Sequence, residues 1–272
     1  MPELPEVETI RRQLAGALAG ATLERIIVYQ KKLRGPVPEE RILAILPSPI
    51  RGFRRHGKYL IFLLRKPYTL LWHFGMSGSF RWVERRTVAS KHDHLDLVFS
   101  DGRVLRFRDP RRFGFVEFLE GDPYRQPPLN RLGPDPLNGA ISGDDLYVRS
   151  RNRTVAIKTY LMDQRVVAGI GNIYACEALF VAGVHPAKPA GHISRTRYRR
   201  LWDALCTVLE AAIQMGGTSF RDYRQSNGDL GYFLLRCRVY RREGEPCIRC
   251  GTRIRRILIN QRSTFYCPRC QR

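Results

Sequence analysis

Acidic residues are scarce in this chain. Its 272 residues hold 25 Asp and Glu against 47 Lys and Arg, a formal net charge of +22. An excess of that size favours a polyanionic partner, nucleic acid before membrane. Lysine is scarcer still, with seven residues in all, so an arginine-rich solvated surface is the alternative. The distribution argues for a partner, because residues 236–272 carry eleven Arg against only Glu243 and Glu245. The sequence has no run of eighteen apolar residues, so no membrane span is expected. It also lacks a basic stretch followed by an apolar one at its amino end. No signal peptide is therefore expected, and the cytosol is the expected compartment. Internal repeats and low-complexity tracts are absent, and the length allows one large or two modest domains.

Seven cysteines fall into two groups. Cys176, Cys206 and Cys237 are scattered, as buried core thiols would be. The others form Cys247-x2-Cys250, a gap of sixteen residues, then Cys267-x2-Cys270. That spacing predicts one zinc ion held by four thiolates. Two disulfides are the alternative, which a cytosolic setting disfavours. With four sulfurs as ligands the metal is structural, and no open position is left for metal-assisted hydrolysis. Between the paired cysteines, residues 253–266 read as two short strands joined by a polar turn near Asn260–Ser263. The turn would present Arg262, whose guanidinium can clamp a phosphate with two hydrogen bonds; a solvated turn arginine is the other reading.

The chain opens Met1-Pro2-Glu3-Leu4-Pro5-Glu6. Trimming of the initiator Met would leave Pro2 as a secondary amine with Glu3 beside it. Such an amine adds to a carbonyl-level carbon to give an iminium that cannot shed its charge to become a neutral imine. The trapped cation then acidifies the adjacent C–H and drives elimination. An α-amino group titrates near ~8 against ~10.4 for lysine, although prolyl amines are more basic than that generic value. If Met1 persists, the Pro2 nitrogen is an amide and no Schiff base can form. Many chains begin Met-Pro for no chemical reason, so the feature acquires meaning only beside others.

The remaining pattern predicts an α+β chain. Leu4, Val7, Ile10, Leu14 and Leu18 recur at three or four residues, with Pro5 in the first turn, which predicts an opening helix. Residues 22–29, 51–64, 69–74, 95–99, 104–107 and 113–118 read as strands between glycine-containing turns. Proline and glycine crowd residues 121–143 and mark a linker. Helices are expected at 144–148, 154–164, 172–182 and 194–215, and the ribbon closes the chain.

Three constellations could touch DNA. Gly169 and Gly171 precede Asn172 at the start of a helix, where a phosphate could approach the backbone closely; an ordinary corner capped by Asn172 is the alternative. The loops His73–Gly78 and Asp109–Gly114 each expose one bulky side chain, Met76 or Phe113, with Arg111 and Arg112 in the second. Apolar wedges beside arginines can unstack a base step, whereas a single Met or Phe is more often core. Lys58 lies at a hairpin turn, which says little by itself.

Taken together, the residues resemble the formamidopyrimidine-DNA glycosylases over nearly the whole chain. The resemblance rests on residues 2–9, His73–Gly78, Lys91-His92-Asp93-His94, Asp109–Gly114, Leu161–Glu177, Gly216-Gly217-Thr218 and the ribbon with Gln261-Arg262-Ser263-Thr264, all in the family's order. It implies an amino-terminal catalytic β-sandwich (1–130), a helix–two-turn–helix domain (131–235) and a zinc-ribbon finger (236–272), with DNA in the cleft between domains. It further implies removal of 8-oxoguanine and formamidopyrimidines from duplex DNA, followed by β,δ-elimination through a Schiff base on Pro2. In this scheme Pro2, Glu3 and Lys58 are catalytic. His73, Met76, His94, Arg112, Phe113, Lys158, Asn172 and Arg262 contact DNA. Glu6 and Glu177 are acidic positions at the lesion, and Cys247, Cys250, Cys267 and Cys270 hold one structural zinc ion. The expected partner is damaged double-stranded DNA, bound by a monomer in the bacterial cytoplasm.

Two departures from the family pattern bear on lesion preference. Leu230 stands where the family often has proline, and Arg241 where glycine is usual. A sister enzyme of the endonuclease VIII type, specific for oxidised pyrimidines, shares the proline, glutamate and ribbon. Leu4 and the His73–Gly78 loop favour the purine enzyme. A zinc-ribbon protein that only binds DNA is the third reading.

Overall fold

Helix α1 (Leu4–Ala17) begins one residue earlier than Pro5 and carries the expected apolar stripe. Leu4, Val7, Ile10 and Leu14 are all buried. Its start is a capping box, in which the Glu3 N–H donates to Glu6 Oε2 at 2.8 Å and the Glu3 side chain accepts from the Glu6 N–H. The computed structural model describes residues 2–217 and 233–272. The chain divides into two compact units. One runs to Arg131 and takes in the segment beginning at Gly216; the other comprises Leu132–Met215 and Phe233–Arg272.

In the first unit the elements after α1 are β1 (Thr22–Val28), α2 (Glu39–Leu43), β2 (Ser48–Pro49), β3 (Gly52–His56), β4 (Tyr59–Leu63), β5 (Tyr68–His73), β6 (Ser79–Val83), β7 (Asp93–Phe99), β8 (Val104–Arg108) and β9 (Phe115–Glu120). They form two antiparallel sheets, β2-β1-β7-β8-β6 and β3-β4-β5-β9. Leu23, Leu97 and Phe107 of one sheet share a core with Phe62, Trp72 and Val116 of the other, joined by Ile10 and Leu14 of α1. This is the expected sandwich. The stretch 51–64 proves to be a hairpin: β3 and β4 pair His56 with Tyr59 around Gly57, whose φ of +56° suits glycine. Strand β6 lies outside the expected strands, although Ser79-Phe80-Arg81-Trp82 alternates polar and apolar residues. The Arg81 charge is met by Asp93 at 2.6 Å, a pairing that a local pattern cannot show.

The second unit holds α3 (Gly143–Ser150), α4 (Ile157–Met162), α5 (Asn172–Ala182), α6 (Arg195–Gln214), β10 (Arg255–Ile259) and β11 (Arg262–Tyr266). Ser142 and Ser194 cap α3 and α6, and left-handed Gly183 ends α5. Helix α5 is buried on nearly every face, against α6 and β11. The ribbon turn is tighter than expected. Ile259 pairs with Arg262, so only Asn260 and Gln261 turn, at φ of 47° and 58°. Cys176 and Cys237 are buried, whereas Cys206 is half-buried. No helix among the described residues is long and apolar enough to cross a membrane.

Candidate active site and nucleic-acid-binding loops

The start of α1 places Pro2, Glu3 and Glu6 together. All three are buried, and the capping box fixes Glu3 and Glu6 against each other. Gly217 lies beside them: a Cβ there would stand 3.0 Å from Glu6 Cγ and Oε1, so the Gly216-Gly217 pair lets the backbone approach that carboxylate. The remainder of that motif, with Thr218, and the Leu230 loop lie outside the described residues. Lys58 is buried at the β3–β4 turn. Helix and hairpin are tied by Glu8, which accepts from Arg55 Nε on β3 at 3.1 Å and from Arg11 and Arg12 at 2.8 Å. Burial pushes the Glu8 carboxyl up, but Arg11, Arg12 and Arg55 outweigh it and bring it down to about 2. Its contribution to stability is present above ~4.5 and is lost only as pH falls towards that lowered value. The sequence reading missed this tie, since nothing local links Glu8 to Arg55.

His73 ends β5, its ring stacked on Phe115 at 5.4 Å and tilted against Tyr59. Its Nδ1 accepts the Gly75 N–H at 3.1 Å, so in the neutral ring the proton sits on Nε2, which is left as the donor. Burial, then the charges of Lys58 and Arg34, lower its pKa to about 4. A folded pKa below the unfolded value means that the unfolded chain takes up the proton first as pH falls. The stability from a neutral His73 is therefore complete above ~6.5 and is lost as pH drops through about 4. Imidazole NMR should show His73 unprotonated from pH 8 down to about 5. A midpoint between 6 and 7 would contradict this environment.

The two glycine loops of the first unit present the expected side chains. Met76 is 42% exposed and Phe113 45%, high for residues of their size. Arg111 lies over the Phe113 ring at 4.9 Å, and Arg112 adopts a left-handed φ of 55°. His94 lies near the start of β7. It is buried, with Nε2 2.7 Å from the Asp109 carbonyl oxygen, so it braces this loop from behind.

In the second unit Lys158, Asn260 and Arg262 line one cavity of about 320 Å³, with Thr159, Met162, Asp163 and Ile259. The Lys158 ammonium donates to Thr264 Oγ1 at 2.6 Å, and Arg262 is exposed. Asn172 is the first residue of α5 and makes no side-chain cap; its Nδ2 donates instead to the Ser263 carbonyl on the ribbon at 2.9 Å. Gln164 laces the glycine loop, donating to Met162 and Ile170 and accepting from Gly169. Glu177 lies on α5. Its carboxylate is buried and accepts the backbone N–H groups of Arg238, Val239 and Tyr240 at 2.8–2.9 Å. Burial pushes its pKa up while those three donors pull it down. Glu177 thus anchors the approach to the ribbon. Next to that anchor, Arg241 holds a φ of 62°, a left-handed conformation that glycine adopts without steric cost.

The four ribbon cysteines converge. Their sulfurs all lie within 4.8 Å of one another, with Cys250–Cys267 at 3.5 Å and Cys247–Cys270 at 3.9 Å. A tetrahedral zinc with ~2.3 Å bonds requires sulfurs about 3.8 Å apart, whereas a disulfide requires ~2.05 Å. The set therefore fits one zinc ion and no disulfide.

These features have counterparts along the entire chain. The profile of the formamidopyrimidine-DNA glycosylase N-terminal domain matches residues 1–116, that of the family's H2TH domain matches 132–224, and that of a zinc finger found in FPG and IleRS matches 244–272. Formamidopyrimidine-DNA glycosylases of Thiobacillus denitrificans and Syntrophotalea carbinolica are 50% and 48% identical, with both chains covered completely. The chain belongs to the formamidopyrimidine-DNA glycosylase family. Two solved structures agree in fold. A Lactococcus lactis FPG mutant in complex with Fapy-dG-containing DNA has a TM-score of 0.92 at 34% identity, with both chains fully covered. The MutM protein of Thermus thermophilus has a TM-score of 0.89 at 39% identity, covering 99% of this chain and 98% of that one. The enzyme is thus a DNA-repair glycosylase with a zinc-finger module.

Proposed function

We propose that the enzyme removes oxidised purines, 8-oxoguanine and ring-opened formamidopyrimidines, from duplex DNA and then cleaves the abasic strand from Pro2. The observation that carries this reading is the amino end itself. Pro2 and Glu3 open α1, and the Glu8–Arg55 pair ties that helix to the hairpin bearing Lys58. With Met1 removed, the Pro2 nitrogen attacks C1′ of the flipped nucleotide and the bond to the base breaks, the base taking up a proton as it leaves. Glu3 protonates the ring oxygen O4′, the sugar opens, and an iminium forms at C1′. Loss of a C2′ proton expels the 3′ phosphate. A second elimination through the conjugated iminium expels the 5′ phosphate. Hydrolysis then frees Pro2, leaving a one-nucleoside gap.

The other parts have assigned tasks. Lys58 and the Nε2–H of His73 hold the phosphates beside the lesion, and Glu6 keeps Glu3 oriented. Met76, Arg112 and Phe113 fill the vacated step. Lys158, Asn172 and Arg262 hold phosphates from the second unit, where cations line the ribbon cavity. His94 and Glu177 act through the loops they brace. In this division of labour residues 1–130 catalyse, while 131–235 and 236–272 bind damaged DNA, in a single chain working in the cytoplasm.

The Fapy-dG complex of the Lactococcus relative supports the purine reading, while another complex of that relative holds oxidised-pyrimidine DNA. Cleavage of paired duplexes separates the two. An 8-oxoguanine strand should be cut at least about tenfold faster than a thymine-glycol strand, with phosphates on both sides of the gap. Equal or reversed rates would favour the pyrimidine reading.

A further inference from the structure

The two loops that carry Met76 and Phe113 are separated by thirty residues of sequence, yet they share one buried carboxylate. Asp109 is completely buried. Its Oδ1 accepts the Ser77 hydroxyl at 2.5 Å and the Arg111 N–H at 3.3 Å, and its Oδ2 accepts the Gly114 N–H at 2.7 Å. Ser77 Oγ in turn accepts the Arg111 N–H at 3.1 Å, which closes a ring across both loops. The Asp109 backbone is held as well: its N–H donates to the His92 carbonyl, and its own carbonyl accepts from His94 Nε2. The loops also interlock at glycines. A Cβ on Gly75 would meet the Phe113 carbonyl carbon at 2.3 Å, and one on Gly114 would meet Phe107 Cζ at 2.8 Å and Asp109 Oδ2 at 3.1 Å.

Every donor to the Asp109 side chain is a hydroxyl or a backbone N–H. An ionised carboxylate can take all three at once, whereas an amide offers one accepting oxygen and turns its own N–H groups towards donors. Buried hydrogen bonds to a charged acceptor are the stronger kind, and leaving their partners unmet is costly. We propose that Asp109 is a positioning residue, which through Ser77 and Gly114 locks the Met76 and Phe113 loops into one rigid wedge. This rests on the reading of Met76 and Phe113 as residues that fill the space of the displaced nucleotide. A wedge made of two loops acts only if their separation is fixed, because a loose pair would follow the bases instead of parting them.

The test compares two substrates for D109N, S77A, S77T, M76A and F113A. One is the paired 8-oxoguanine duplex, where the lesion must be unstacked. The other is a single strand with a ready-made abasic site, where no step needs filling. D109N should lose about tenfold or more on the duplex, the scale of one charge-assisted hydrogen bond, with a far smaller loss on the single strand. S77A should move in the same direction by less, and S77T, which keeps the hydroxyl, should restore the ratio. Equal losses on both substrates, or no loss on the duplex in a protein that melts normally, would overturn the positioning role. If D109N does not fold, the S77A and S77T pair decides the question. Should M76A and F113A leave duplex cleavage intact, the wedge reading itself fails, whatever Asp109 does.

Discussion

Protein whose amino terminus is blocked, or still begins at Met1, should give no covalent adduct when an abasic-site duplex is treated with borohydride. Pro2→Gly should lower both trapping and strand cleavage by about 10²-fold, because the amine that remains makes a poorer electron sink. The blocked case is a matter of valence. An amide nitrogen has no lone pair to give to C1′, so neither base displacement nor iminium formation can begin. Glycine keeps an amine, but a primary one, whose Schiff base can discharge its proton and lose the electron sink that drives both eliminations. Pro2 lies beside buried Glu3 at the start of α1. The fold should tolerate the change, since the capping box of α1 is made by Glu3 and Glu6 and not by Pro2. Duplex binding and melting temperature should therefore stay near those of the parent. Mass analysis of the amino end must accompany the trapping. An adduct formed by amino-blocked protein would move the nucleophile elsewhere and end the Pro2 mechanism.

What was legible in the sequence was whatever depends on spacing. The stripe of Leu4, Val7, Ile10 and Leu14 gave α1, and two Cys-x2-Cys pairs gave the metal site, because a helix period and a metal-binding turn are local. The exposed pair Met76 and Phe113 could be picked out because glycines flank both. What stayed hidden was pairing at a distance. Glu8 with Arg55, Asp109 with Ser77, and Glu177 with the N–H groups of residues 238–240 join segments whose separation carries no periodic signal. His94 and Glu177 were expected at DNA because they fall inside family motifs. Both are buried and hold backbone groups of neighbouring segments, an arrangement that motif membership does not reveal. Strand β7 gives the same lesson. Its Asp93 and Asp96 are met by Arg81 of β6 and Arg106 of β8, and β7 is buried along its whole length.

Removal of zinc should abolish tight duplex binding, by about 100-fold or more, while leaving the sandwich core folded. The ribbon has little else to hold it. Strands β10 and β11 pair over five residues each, and a two-stranded hairpin of that size is marginal in water. The small cluster beneath them, Cys176, Phe180, Val239, Ile254 and Phe265, is completed by Cys247 and Cys267, two of the metal's own ligands. Binding of zinc to such a module is folding energy, on the order of 10–16 kcal/mol in isolated fingers, so chelation or Cys267→Ser should unfold the ribbon and take Arg262 with it. Lys158 and Asn172 would lose their partners Thr264 and Ser263 in the same event. Salt dependence distinguishes this collapse from loss of a single contact. Arg262→Ala should make the slope of log affinity against log salt shallower by about one unit, the share of one phosphate, with the metal still bound. The metal-free protein should lose more affinity than that, because Lys158 and Asn172 lose their ribbon partners together with Arg262. An Arg262→Ala slope equal to the parent's would remove that arginine from the phosphate contacts. Metal-free protein with undiminished affinity would mean that the eleven arginines of residues 236–272 attract DNA by charge alone, without the braced geometry that zinc supplies.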